Sequence, residues 1–108
     1  MKRFERAMQI WQILISAAHN RQILTYTIVA DLIGMGAGTL SQTLGMIMRY
    51  CKRNNLPPLT SLVVNKNTGQ PGEGLTTVME LNRDRERVFE YNWFAHPPVQ
   101  IADFDVKD

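Results

Sequence analysis

The chain has one cysteine, Cys51, among 108 residues. A lone thiol closes no internal disulfide, and such a sequence suits a reducing compartment. Long apolar runs are also missing, none approaching the roughly 20 residues that a bilayer-spanning helix needs. The opening "MKRFERAMQIWQIL" lacks the unbroken apolar stretch and small-residue cleavage site of a secretory leader. Cytoplasmic localisation and no membrane partner are therefore expected. Histidine is scarce: His19 and His96 lie far apart, with no cysteine or carboxylate motif near either, so zinc spacing is absent and no metal or cofactor is expected. The glycines of "NTGQPGEG" miss the phosphate-loop pattern, which needs a lysine after its second glycine and a helix behind it. No internal repeat or low-complexity tract occurs.

What is present is a globular composition, 44% hydrophobic and 20% charged, at a length that suits one domain with a modest core. The net charge is +2, unevenly spread. Residues 1–19 carry three bases against one acid, residues 20–74 five against two, and residues 75–108 four against seven. A basic front and an acidic rear point to an anionic partner for the front, against the plainer reading of chance asymmetry.

Apolar residues recur at helical spacing from Phe4 to about His19, through Met8, Trp11, Ile15 and Ala18. After a short link, "RQILTY", Thr25 is placed to cap a second helix with an apolar face of Ile28, Val29, Leu32 and Ile33, and Gly34 to end it. "GMGAGT" is a turn. Thr39 or Ser41 can then cap a third helix running to about Asn54, with Leu40, Leu44, Ile47, Met48 and Cys51 inward and Gln42, Thr43, Arg49, Lys52 and Arg53 outward. "SLVVN" reads as a strand, "KNTG" as a turn and "LTTVMEL" as a returning strand. "NRDRERVFEYNWF" gives a short helix with Val88, Phe89 and Trp93 inward. The proline-containing "AHPPVQIADFDVKD" reads as extended. The expected fold is α+β, mainly α: a winged helix-turn-helix with an N-terminal helix and a small β-hairpin wing. It forms one domain over residues 1–95, with an extended acidic tail at 96–108.

A helix-turn-helix with a basic second helix binds DNA by laying that helix in the major groove. Thr39, Ser41 and Gln42 would approach bases, Arg49, Lys52 and Arg53 would hold phosphates, and Asn65 and Lys66 would contact the backbone from the wing. The alternative is that these residues are a solvated helix face. Catalysis finds little support. Cys51 lies on an apolar stripe, as a structural thiol does, and Asp84, Glu86 and Glu90 alternate with arginines as solvated ion pairs do. Met35, Met46, Met48 and Met79, and the aromatics Phe89, Tyr91, Trp93 and Phe94, are expected in the core.

The order "LTYTIVADLIG", "LSQTLGMIMRY", "LPPLTSLVVN" resembles the DNA-binding domain of the O6-alkylguanine-DNA alkyltransferases and the alkyltransferase-like proteins, over roughly residues 22–75. The resemblance implies a winged helix-turn-helix. It places Tyr26 at the tyrosine near the target phosphate, Gly45, Met48 and Arg49 in the recognition helix, and Val63 and Val64 in the strand after the active site. It also implies what is lost. Thr60 falls at the alkyl-accepting cysteine, Ser61 at its histidine, Leu62 at its arginine, and Gln42 at the arginine that fills the gap left by a flipped-out base. A thiolate acceptor needs a sulfur nucleophile beside a base, so alkyl transfer is not expected. Two functions stay open: non-enzymatic binding of double-stranded DNA, or a protein-interaction module (inhibitor, immunity or accessory protein) docking through "YNWFAHPPVQI". A homodimer is compatible with either, though no heptad repeat is visible.

Overall fold

A computed structural model describes residues 2–72 and 80–105. Four α-helices surround a two-stranded parallel sheet: α1 (Arg3–His19), β1 (Leu24–Thr25), α2 (Tyr26–Ile33), α3 (Ala37–Arg53), β2 (Val63–Val64) and α4 (Leu81–Glu90). Three 3-10 turns, Leu59–Leu62, Trp93–Ala95 and Ile101–Phe104, complete the described elements. The fold is thus mainly helical α+β, as the apolar periodicity implies.

Helix α1 is the hub, packing against α2, α3, α4 and all three 3-10 turns. Its sequence explains this role. Between Arg6 and Arg21 there is no Asp, Glu, Lys or Arg, and Ala7, Ala17 and Ala18 let neighbouring backbones approach closely. The fully buried residues are Ala7, Ile10, Trp11, Leu14, Ala17 and Ala18, while Phe4, Met8 and Ile15 form a half-buried rim. The expected stripe therefore marks the edge of a wider buried face, because a helix covered on several sides has no single apolar line.

Helix ends follow local chemistry. The Thr25 hydroxyl accepts from the Ile28 amide at 3.2 Å, so the expected N-cap of α2 is present. Thr25→Ala is expected to lower stability by about 1 kcal/mol, read from the chemical-denaturation midpoint. Helices α1, α2 and α3 all close with paired C-terminal bonds of the Schellman type: Gln22 N to Ala17 O, Met35 N to Ala30 O, and Leu56 N to Cys51 O. Each needs one left-handed residue. Gly34 supplies it for α2 at φ 68°, as its position predicts, but Arg21 (φ 54°) and Asn55 (φ 56°) do so for α1 and α3. Arg21 holds this costly conformation while stacking on Phe89, 5.4 Å to the ring centroid, and pairing with Glu86 at 3.4 Å.

The sheet differs from the expected hairpin. Val63–Val64 pairs in parallel with Leu24–Thr25, Leu24 opposite Val63 and Thr25 opposite Val64, so the "RQILTY" link holds a strand. Ser61 and Leu62, expected in that strand, lie in the 3-10 turn that follows Pro57 and Pro58. Of the returning strand expected over 75–81, residues 75–79, Met79 among them, lie outside the described residues, and Leu81 opens α4 instead. The "KNTG" turn is present: Gly69 donates to the Asn65 carbonyl at 2.8 Å and takes φ 69°.

Two apolar assignments change. Ile28 and Leu32 are 47% and 63% exposed, and the short α2 buries Val29, Ala30 and Ile33 instead. Thr43, expected outward, is buried, its hydroxyl directed to the Thr39 carbonyl at 3.5 Å. Asp84, too, is buried rather than solvated, beside Arg87 at 3.9 Å.

The largest correction concerns the chain's rear. Residues 96–108 were expected as an extended acidic tail, but Ile101–Phe104 forms a 3-10 turn packed on α1 and α3. Phe104 is fully buried, its ring 5.9 Å from that of Trp11 and 5.5 Å from that of Tyr50. Trp11 also meets Tyr50 at 5.3 Å and Trp93 at 5.6 Å, both edge-on, the arrangement the ring quadrupoles favour. The Trp93 indole donates to the Val88 carbonyl at 2.8 Å. Burial raises the pKa of Tyr50, with Asp103 adding to the shift, so its phenol stays neutral and hydrogen-bonds His96 Nε2 at 2.9 Å. Among the aromatics expected inside, Trp93 is buried and Phe89 and Tyr91 half-buried, while Phe94 stands 60% exposed against His19.

Cys51 is buried as expected, and that burial pushes its thiol up to about 12, against a weaker opposing bond with the Leu59 backbone. An unfolded thiol ionises near pH 8.5. Its contribution to stability is therefore complete below that pH and is lost as pH rises towards about 12, where the folded thiol ionises. Thiol exchange with an aromatic disulfide at pH 8 is expected only after denaturant is added. Reaction of the native protein at the rate of a free thiol would place Cys51 at the surface.

Candidate functional site

The parallel strands help to build a polar concavity beside the start of α3. Because Thr25 lies opposite Val64, the next residues, Tyr26 and Asn65, emerge side by side. The short turn after α2 brings the start of α3 to the same place. The result is an open cleft of about 490 Å³ lined by Tyr26, Thr27, Gly38, Ser41, Asn65, Lys66, Asn67 and Gly72. Two helix N-termini converge on it, those of α2 and α3, and neither first turn holds an acidic residue. Exposed amide N–H groups, the helix dipoles and the Lys66 ammonium all favour negative charge there.

The α3 terminus differs in detail from expectation. Its N-cap is Gly36, without a side-chain cap, and Thr39 lies in the first turn with its hydroxyl donating back to the Gly36 carbonyl at 3.0 Å. Ser41 lies a further turn in and is exposed, as is Gln42. The loop side is ordered by its own side chains: the Asn67 amide donates to Asn65 Oδ1 at 2.8 Å, and the Gln70 amide to Thr68 Oγ1 at 3.2 Å. At the cleft wall, burial raises the pKa of the Tyr26 phenol against the pull of the Gly72 backbone. Its shielded hydroxyl makes no well-formed hydrogen bond among the described residues and is available as a neutral donor.

The nine candidate residues do not form one cluster. Tyr26, Ser41, Asn65 and Lys66 line the cleft. Lys52 and Arg53 are exposed in the last turn of α3, about 18 Å along the axis from Ser41 at 1.5 Å per residue. At about 100° per residue, Ser41, Gln42, Arg49, Lys52 and Arg53 nevertheless share an arc of about 120°. Arg49 is half-buried and folds back over Gly45, its Nη1 3.3 Å from where a Cβ there would stand. Thr27, Gly38, Asn67 and Gly72 went unrecognised from sequence, since only the β1–β2 pairing brings them together.

Electrostatics separates this face from the rest. No Asp or Glu occurs between Asp31 and Glu73, so α3 and the 65–72 turn carry bases alone. Elsewhere five of the six arginines have polar partners: Arg21 with Glu86, Arg83 with Glu80, Arg87 with Asp84, Arg6 with the Ile33 carbonyl, and Arg85 with the Ser61 carbonyl at 3.3 Å, while Arg3 lies over the Phe4 ring. Lys52, Arg53 and Lys66 make no ion pair among the described residues.

No family model, curated protein or solved structure matches the chain. The alkyltransferase resemblance thus rests on its quoted residues. Thr60 and Ser61, which that resemblance sets at the acceptor cysteine and its histidine, are fully buried, and neither hydroxyl has a hydrogen-bond partner among the described residues. Among the described residues, no helix is long and apolar enough to cross a membrane, and no group of three or more His, Cys, Asp or Glu residues could hold a metal ion.

Proposed function

We propose that the chain binds double-stranded DNA without catalysis, through α2, α3 and the 65–72 turn used as a winged helix-turn-helix akin to the alkyltransferase-like frame. The observation that carries this reading is the acid-free run from residue 32 to residue 72, whose exposed cations Lys52, Arg53 and Lys66 have no ion pair among the described residues. In the major groove, Ser41 and Gln42 face base edges at the front of α3 while Lys52 and Arg53 neutralise phosphates at its rear. Thr39 adds to the front of the helix, and Asn65 and Lys66 reach the backbone from the turn. In the cleft, Tyr26 donates to a phosphate oxygen held between the two helix N-termini. Alkyl transfer has no part in this reading, because Thr60 and Ser61 lack both sulfur and exposure. The single buried thiol suits a reducing, cytoplasmic setting. Fluorescence anisotropy on a generic duplex at several salt concentrations is the test, and salt-independent binding, or none at low salt, would sink the electrostatic mechanism.

A second reading, a protein-docking module, draws on Phe94 and Ile101, which are 60% and 46% exposed near the end of the sequence. It is favoured instead if duplex DNA does not bind and Phe94→Ala abolishes a stoichiometric complex.

A further inference from the structure

Three of the five large apolar residues that stand exposed among the described residues, Ile23, Ile28 and Leu32, lie on or just before α2. Ile28 and Leu32 are four residues apart and therefore project from one face of that helix as a ridge. Beside them, between α1 and α2, runs a groove of about 500 Å³ whose floor includes Ile13, Leu24 and Ile33 and whose rim includes Gln9, Gln12 and Gln22. It shares no lining residue with the Tyr26 cleft, so both can be occupied at once.

We infer that this ridge and groove form a twofold interface with a second copy of the same chain. Charge selects the occupant. None of the groove's lining residues is charged, and α1 carries no Asp, Glu, Lys or Arg beyond Arg6. A nucleic acid finds no cation there, and a strongly charged partner finds no complement. Two copies of a chain with a net charge of only +2, by contrast, meet through uncharged linings with little like-charge repulsion, most of it screened by salt. A twofold interface also brings each surface against itself, so its polar groups must satisfy their own kind. Glutamine does so, because its amide is both donor and acceptor, whereas a rim of lysine or glutamate would repel its mate. Charges of both signs stand next to lining residues in the sequence, Arg21 before Gln22 and Asp31 before Leu32. Arg6 is bonded to the Ile33 carbonyl, and Asp31 is exposed without an ion pair among the described residues. Ridge beside groove is the remaining requirement: Leu32 of each copy has an apolar channel to enter, and depletion of charge at the centre is what interface cores show.

Sedimentation velocity of the full chain from about 1 to 200 µM tests this, with a monomer–dimer midpoint expected below about 100 µM. Leu32→Arg is expected to weaken the dimer about a hundredfold, since it puts a charge at the centre of an apolar interface. With Leu32 63% exposed, the variant should keep the native circular dichroism, and Ile28→Lys should act in the same direction. A chain that stays monomeric over the whole range overturns the inference. So does a dimer that both variants leave at full strength.

Discussion

Replacing Phe104 with alanine is expected to lower stability by about 3–5 kcal/mol, the range for removing a buried phenyl ring. That is a large share of the roughly 5–15 kcal/mol that holds a small domain together. The reason is position. Phe104 is fully buried between Trp11 and Tyr50, and Trp11 belongs to the helix against which every other described helix packs. Relaxation around the vacancy is restricted, because Trp93 holds its ring by a bond to Val88 and Tyr50 by a bond to His96. Ile101, in the same 3-10 turn but 46% exposed, is the control. Ile101→Ala should cost within about 0.5 kcal/mol. Guanidinium titrations of both variants give the comparison. A Phe104→Ala midpoint as close to wild type as that of Ile101→Ala would return residues 101–104 to a loose tail.

The parts of this fold legible in the sequence are those whose causes are local. Thr25 and Gly34 delimit α2 because a cap and a left-handed residue act within one turn of the chain. The α3 stripe of Leu40, Leu44, Ile47 and Cys51 is legible because its spacing is that of the helix itself. What stays hidden depends on partners far away in the chain. The two-residue strands at 24–25 and 63–64 are too short to carry an alternation signal, and their paired residues lie 39 positions apart. Phe104 lies in a segment whose prolines and acids argue for exposure, and only the cavity over Trp11 makes it core. Ile28 and Leu32 show the converse: apolar by type, they stand exposed because an eight-residue helix buries one narrow arc, which Ala30 helps to fill.

The same distinction governs the candidate site. Residue type marks Lys52, Arg53 and Lys66 as phosphate contacts, and the alternation of acids with the equally numerous arginines of α4 sets those apart. Arg83 and Arg87 each lie three residues from a paired acid, Glu80 just before α4 and Asp84 within it, Arg85 bonds the Ser61 carbonyl, and α3 has no acid at all. The exposed Glu80–Arg83 pair adds little to stability, yet pairing of this kind cancels the field that would draw in an anion. An unopposed base is worth more to a polyanion than a paired one.

That contrast sets the decisive binding experiment. Lys52→Ala, Arg53→Ala and Lys66→Ala together are expected to weaken duplex DNA binding roughly a hundredfold at low salt. They should also reduce the slope of log affinity against log salt by about 2 to 3, since each neutralised phosphate contributes about 0.9. Because all three side chains are exposed, thermal stability should change little. Arg83→Ala with Arg87→Ala also removes positive charge, but from bases already paired with acids, and is expected to shift affinity only a few-fold. If the two variants lose affinity in proportion to the charge each removes, with no excess for the α3 set, the protein binds DNA through net charge alone. Tyr26→Phe separates cleft from helix: it deletes only the shielded hydroxyl that lacks a well-formed hydrogen bond, so a loss of several-fold with an unchanged salt slope marks a neutral donor to phosphate. An unchanged affinity would remove the cleft from the interface and leave the exposed arc of α3 as the DNA-binding surface.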